Sequence, residues 1–521
     1  MLGAREMSLI KPKAPYPLSL ESTLFVLFFV SWAYFFNGGG WNPNARMAQV
    51  YQVVENGCFH INAFLPVTKD ISVFEGHAYP NKPPGSSVLG AIPYGICYFL
   101  QKGLGFDPSS NPELILLDAY LVNVFANTFL GALAAVYFFR LSVMISGCVK
   151  TGLSLSLAYG LGTLLFPYGT VYMGHLQAIS LYVMGFYYFY RFFFIETEIV
   201  KNQKDLFWAG LWMGFSVTVD FLMGYLCFFC LFYVLLKSFK NCKIFFQFGC
   251  GLLCPAILLA IYQTLAFGNP FTLSMTYNNP IFHYGRSDLW LGAFQIPKWG
   301  IVRELLLGEF YGLFIFMPVL LFGVFGMLSL CVRGKSFGFL ILAQTTLTVL
   351  ANASFIGWWG GGTAGPRYLL GCVPLLLLCA QELLKTKMLR IFFLGIAALS
   401  FYFQLAICAT TVQPGSVKSL RRDILTAFQE KKFASNPSFP RLSPQDVPEG
   451  LTKRSSFNLG QWMGLSNRFC LWPLLGFQFL LIARLFLLSH RGETGKTFVN
   501  KSFPKPFQKT LTGHSPCGHG E

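Results

Sequence analysis

Two stretches of the chain gather the residue types that handle a charged substrate. The first reads WNPNARMAQVYQVVENGCFHINAFLPVTKDISVFEGHAYPNKPPG and holds Arg46, Glu55, Asp70, Glu75, His77, Tyr79 and Lys82. Carboxylates, imidazole and cations close together can take a proton from a hydroxyl and balance the charge growing on a leaving group. The second, WWGGGTAGPRY, surrounds Arg367 with glycines that let backbone approach a ligand, and a guanidinium binds phosphate in bidentate fashion. Trp358 and Trp359 suit either a sugar face or a membrane interface. His175, in YMGHLQ, and Asp220, in VTVDFLMGY, interrupt apolar sequence, where ionisable residues are functional candidates by default. A further aromatic, proline-rich stretch carries His283, Arg286 and Asp288 and leads to Glu309. The bland alternatives are a solvated loop, a glycine-rich turn with interfacial anchors, and satisfied structural ions. No phosphate-loop or other nucleotide fingerprint is present.

The elements that position these residues are set by hydropathy. Of 521 residues, 54% are hydrophobic and 12% charged, against roughly 25% charged in soluble domains. Nearly uncharged runs of about 20 residues recur, as the hydrocarbon core of a bilayer demands. They are continuous rather than alternating, which disfavours a barrel. The expected fold is therefore an all-α polytopic membrane protein with about 13 spans. The first run is 18 to 36, followed by 86 to 101, 114 to 139, 151 to 168, 175 to 195, 206 to 219, 221 to 236, 244 to 266, 311 to 331, 338 to 356, 368 to 384, 391 to 411 and 470 to 489.

Charge orients these runs. Linkers with Lys237, Lys240, Lys243, Arg333, Lys335, Lys385, Lys387 and Arg390 read as cytoplasmic. The segments opposite them, 37 to 85, around 169 to 175, 267 to 310, 357 to 367 and 412 to 469, are then external. Strict alternation fails between 86 and 168, so one run there must be broken, re-entrant or miscounted. The net charge of +17 reads as membrane anchoring and contact with anionic lipid, with no nucleic-acid partner. The 14 cysteines lie mostly in apolar runs and imply no disulfide framework. No metal-ligand spacing appears.

Finer expectations concern the loops and tail. Met47, Val50, Tyr51 and Val54 recur at helical spacing, predicting an amphipathic helix over 45 to 56 with Arg46 and Glu55 near its ends. Pro83-Pro84-Gly85 sets Lys82 at the mouth of the next run. The domain reading is a transmembrane module over 1 to 411, an external polar loop over 412 to 469 able to hold one surface helix, a last span over 470 to 489 and a basic, disordered cytoplasmic tail over 490 to 521.

These motifs in order resemble the bacterial membrane glycosyltransferases of the GT-C superfamily, related to the protein O-mannosyltransferase and aminoarabinose transferase families. The resemblance rests on W-N-x-x-x-R, T-K-D, G-H-x-Y-x-N-K-P-P-G, F-G-N-P, E-F-Y-G-L-F-x-x-x-P and W-W-G-G-x-x-x-G-P-R-Y, and covers most of the chain to about residue 385. It implies a first external loop with surface helices in a bacterial inner-membrane enzyme of the cell envelope. The implied reaction is inverting transfer of a hexosyl or pentosyl unit from a polyprenyl-phosphate donor to a lipid, glycan or protein acceptor. In that superfamily an acidic residue follows the first span, whereas here Asn42, Pro43 and Asn44 stand there. The base then falls to Asp70, with Glu55 second. Lys82, Arg367 and Arg46 would bind lipid phosphate, and His77, Tyr79 and His175 would orient sugar hydroxyls. No cofactor is required, although some relatives use a divalent cation. The rival reading is a non-catalytic transporter or glycolipid-binding protein.

Overall fold

A computed structural model describes residues 16–109, 111–195, 202, 204–239, 241–283, 294–414, 420–433 and 456–494. Five helices among them are long and apolar enough to cross a membrane: Glu113–Ser146, Cys242–Phe267, Ser336–Ser354, Lys387–Thr410 and Asn467–Ser489. Shorter apolar helices, Leu18–Ala33, Met223–Ser238 and Leu320–Val332, accompany them. The chain is an integral, multi-pass membrane protein of helical architecture. Among the described residues, sheet is confined to two antiparallel pairs, Phe35–Asn37 with Ser456–Asn458 and Ile71–Phe74 with His77–Pro80.

Side-chain contacts fix which helix ends share a face. Arg140 forms a bidentate pair with Glu21, at 2.8 and 2.6 Å, while at the other end the Tyr120 hydroxyl donates to the Ala33 carbonyl at 2.8 Å. The helix Leu18–Ala33 therefore runs antiparallel to the long helix that begins at Pro112. Asn111 caps that helix by accepting from the N–H groups of Glu113 and Leu114, with Pro112 at the first helical position.

The run 86 to 101 corrects the expected series of crossings. It forms the helix Gly85–Gly103, but Gly85 lies against the Thr218 backbone beside the cavity described below, and Gln101 donates to Asp118 at 2.7 Å, close to Tyr120. Both ends thus stay on one face. Val88, Ile92, Ile96, Phe99 and Leu100 form an exposed apolar stripe, while Ser86, Ser87, Gly90 and Tyr94 are buried against the helix Trp41–Asn56. Hydropathy alone does not separate such a helix, lying along the interface, from a crossing one. The run 151 to 168 is also broken, into Val149–Leu161 and Leu165–Gly169. With these two changes Arg140 falls on the face opposite the first loop, and His175 on the same face as that loop.

A π turn at Asn123–Thr128 inside the long helix braces the broken segment. Asn127 Nδ2 donates to the carbonyls of Tyr168, Gly169 and Val171 at 3.0, 3.3 and 3.1 Å, and the Thr128 hydroxyl to Gly169 at 2.8 Å. Irregular backbone at membrane depth survives only where its polar groups are met in this way. The expected loop 412 to 469 contains the helix Leu420–Gln429 and the strand Ser456–Asn458, and the helix Trp472–Thr494 spans the last apolar run. Residues 434 to 455 and the basic tail beyond 494 lie outside the described residues.

The helices Lys204–Val219 and Cys242–Phe267 touch backbone to backbone. A Cβ on Gly210 would collide with the Phe248 carbonyl, and one on Gly251 with the Phe207 carbonyl. Small residues replace side-chain packing here, as in membrane helix pairs generally. Gly251→Val should therefore lower the free energy of unfolding by about 1 to 3 kcal/mol, the usual overpacking cost. Gly249→Ala, with open space around its Cβ, should not. Thermal unfolding of both variants in detergent tests the crossing, and equal midpoints would refute it.

Candidate active site

On the face of the first loop a cavity of about 510 Å³ opens among the helix ends, and Arg46, Asp70, Lys82, His175, Asp220 and Arg367 all line it. Each arrives by a separate local device.

Arg46 sits one turn into the helix Trp41–Asn56, where Asn42 Oδ1 accepts from its Nε at 3.2 Å. It is 1% exposed, and one terminal nitrogen has no protein partner. Burial lowers its pKa, opposed chiefly by Asp220 and also by Asp70, and the side chain stays cationic because a guanidinium starts far above neutrality. The guanidinium lies against Gly174, whose φ is 83° and where an added Cβ would stand 2.8 Å from Arg46 Cζ.

A hairpin delivers Asp70 and Lys82. Glu75 and Gly76 both take positive φ, 49° and 78°, as a two-residue turn between twisted strands requires. The resulting register pairs Ile71 with Pro80, so Asp70 and Asn81 face each other at the open end, and the Asn81 N–H donates to the Asp70 carbonyl at 3.2 Å. Lys82 Nζ then stands 4.0 Å from Asp70 Oδ2.

Arg367 follows the glycine-rich turn in the short helix Arg367–Leu369. It is 8% exposed, donates to the Tyr368 hydroxyl at 3.0 Å, and keeps an unpartnered Nε. Gly360, with φ 69°, leaves room for that Nε, which a Cβ would meet at 2.7 Å.

His175 and Asp220 form a pair. His175 opens the helix His175–Phe194, and Asp220 occupies the break between Lys204–Val219 and Met223–Ser238. His175 Nδ1 lies 2.6 Å from Asp220 Oδ2, while Asp220 Oδ1 accepts from the Leu222 N–H at 3.1 Å. Burial acts to raise the Asp220 pKa, but the hydrogen bond from His175, the Leu222 N–H and the Arg46 charge hold it below the ordinary carboxylate value. His175 Nε2 is buried without a partner.

Three sequence candidates stay away from the cavity. Glu55 accepts from the Tyr94 hydroxyl at the far end of its helix, roughly 13 Å along the axis from Arg46 at 1.5 Å per residue. His77 is exposed and stacks on His60, and the Tyr79 ring packs on Phe267 with centroids 5.1 Å apart. Both lie nearer the turn than Asp70 and Asn81, on the part of the hairpin that does not line the cavity. Trp358 packs on Tyr311, Glu309 is exposed, and Arg286 and Asp288 lie outside the described residues. Asn352 was missed by sequence reasoning. It lines the cavity with both amide atoms buried and unpartnered, and its only signal was a polar residue within an apolar run. No group of three His, Cys, Asp or Glu residues that could hold a metal occurs among the described residues.

No family model and no curated protein matches the chain. Among solved structures it is similar to ArnT from Cupriavidus metallidurans bound to undecaprenyl phosphate, with 13% identity over 91% of this chain and 72% of that one and a TM-score of 0.49. It is also similar to the archaeal oligosaccharyltransferase AglB from Archaeoglobus fulgidus in complex with an inhibitory peptide and a dolichol-phosphate, with 12% identity over 83% of this chain and 61% of that one and a TM-score of 0.43.

The close fit of Arg46 on Gly174 has a measurable consequence. Gly174→Ala should cost about 1 to 2 kcal/mol for the left-handed backbone alone, and more because the guanidinium must move. Gly57→Ala, also at positive φ but with nothing near its Cβ, should show the backbone cost only. Unfolding midpoints decide it, and equal losses would show that Arg46 does not press on this turn.

Proposed function

We propose that this chain is a membrane glycosyltransferase that moves a sugar from a polyprenyl-phosphate donor to a lipid, glycan or protein acceptor on the external face of a bacterial inner membrane. The observation that carries the reading is the convergence of Arg46, Lys82 and Arg367 on one cavity, with unpartnered guanidinium nitrogens on both arginines. Buried donors without protein partners are costly unless a ligand meets them. An anion that several cations can share is the natural occupant, and an anionic group on a long isoprenoid explains why the site opens among apolar helices.

In such a transfer the acceptor hydroxyl attacks the anomeric carbon as the bond to the lipid phosphate breaks, inverting the centre. Phosphate leaves readily once its charge is met, so the cations supply electrostatic stabilisation and positioning. Asp70, beside Lys82, keeps the cavity from carrying an excess of positive charge when empty. A proton acceptor must also face the hydroxyl, and Asp70 and His175 both line the cavity.

Binding of undecaprenyl phosphate to purified protein in nanodiscs tests the anion site. Arg367→Ala and Lys82→Ala should each weaken it by about 1.5 to 3 kcal/mol, or roughly 10- to 100-fold in Kd. Unchanged affinity in both variants would remove these residues from the phosphate site. Mass spectrometry of envelope lipids and glycans, with and without the protein, should reveal a glycan modification that depends on it. Identical envelopes would count against transferase activity.

A further inference from the structure

The His175–Asp220 pair is more elaborate than sugar orientation requires. His175 lines the cavity and is 6% exposed, its Nδ1 is fixed on Asp220 at 2.6 Å, and its Nε2 is buried without a protein partner. A carboxylate on Nδ1 keeps the proton there and leaves the lone pair on Nε2. Asp220 is in turn held by the Leu222 N–H, so the imidazole is aimed by a rigid support.

Resting on the glycosyl-transfer reading, we propose that His175, positioned by Asp220, is the general base that takes the proton of the acceptor hydroxyl, in place of a carboxylate in the first external loop. The rival, Asp70, lies 4.0 Å from Lys82, where its charge balances the cation assigned to the phosphate. A neutral imidazole does not repel an anionic donor, and an imidazole serves as a general base near neutrality. Asn81 and Asn352 also line the cavity and carry buried, unpartnered amide oxygens, but an amide is not a base.

The step balances without any further reagent. The hydroxyl oxygen forms a bond to the anomeric carbon, and the bond from that carbon to the phosphate oxygen breaks. The bonding pair departs with the phosphate, and the hydroxyl proton goes to Nε2. The resulting imidazolium keeps its Nδ1–H on the Asp220 carboxylate and returns its new proton to water through the open cavity. Asp220, Arg46, Arg367, Tyr168 and Tyr368 are the charged and titratable groups facing His175.

The test uses full-length protein in membrane vesicles, with the envelope product as readout of initial rates over pH 5 to 9. His175→Gln is expected to lower kcat by about 10²- to 10⁴-fold, the usual contribution of a general base, and to abolish the acid limb of the pH profile. Asp220→Asn should lower kcat and shift that limb to lower pH, since the imidazolium loses its counter-charge. Asp70→Asn should keep the limb in place. Undecaprenyl phosphate binding by all three variants reports on folding. Mass-spectrometric mapping of diethyl pyrocarbonate adducts gives a readout independent of turnover: His175 should be modified in the wild type and several-fold more slowly in Asp220→Asn. An acid limb that survives in His175→Gln with kcat within threefold of wild type, or one lost in Asp70→Asn, would overturn the assignment. Those outcomes would leave the transfer reading intact, whereas a wild type that neither binds undecaprenyl phosphate nor changes the envelope would remove that reading itself.

Discussion

A fully buried guanidinium is the constraint around which this molecule is built. Removing Arg46 from water is expensive, and the cost is offset only by oppositely charged groups held close in a medium where charges act strongly. Asp220 and Asp70 supply that compensation, while Arg367 opposes it. The site is therefore a balanced set of charges rather than a row of independent ligands. Two glycines in left-handed conformation, Gly174 and Gly360, make room for the two arginines, so backbone conformation and electrostatics are fixed together.

The scaffold serves this balance by holding irregular backbone still. The chain between Leu165–Gly169 and His175 leaves the helical ladder, and the carbonyls of Tyr168, Gly169 and Val171 are met by Asn123, Asn127 and Thr128 from the π turn of the neighbouring long helix. Gln177 extends the bracing, donating to the Ala126 carbonyl at 2.8 Å and accepting from the Ser86 hydroxyl at 2.6 Å. A wide turn in one helix thus positions the end of another, and through it the imidazole. The first loop is pinned from the other side, where the Ser72 hydroxyl donates to the Ser274 carbonyl at 2.6 Å.

Partial legibility of the site has a physical pattern. Arg46, Lys82 and Arg367 were recognisable because a cation beside apolar sequence is costly and therefore informative. Asp70 was named as base only through the resemblance, whereas its approach to Lys82 comes from the Glu75-Gly76 hairpin that the structure shows. His77 and Tyr79 share that hairpin but not the cavity, because they sit nearer its turn, where their rings pack on His60 and Phe267. Glu55 was named as the second candidate base, yet the predicted helix already set it at the end opposite Arg46, where the structure keeps it.

Composition and hydropathy by themselves determined that the chain lives in a bilayer, which linkers are basic, and which residues would be expensive to leave uncompensated. These properties are local and additive along the sequence. Tertiary structure alone decided that the apolar helix Gly85–Gly103 keeps both ends on one face, and that His175 meets Asp220 from 45 positions away. Whether an apolar stripe faces lipid along the surface or across it, and whether two ionisable groups neutralise each other, depends on distances between helices. Sequence spacing does not encode those distances until the helices pack.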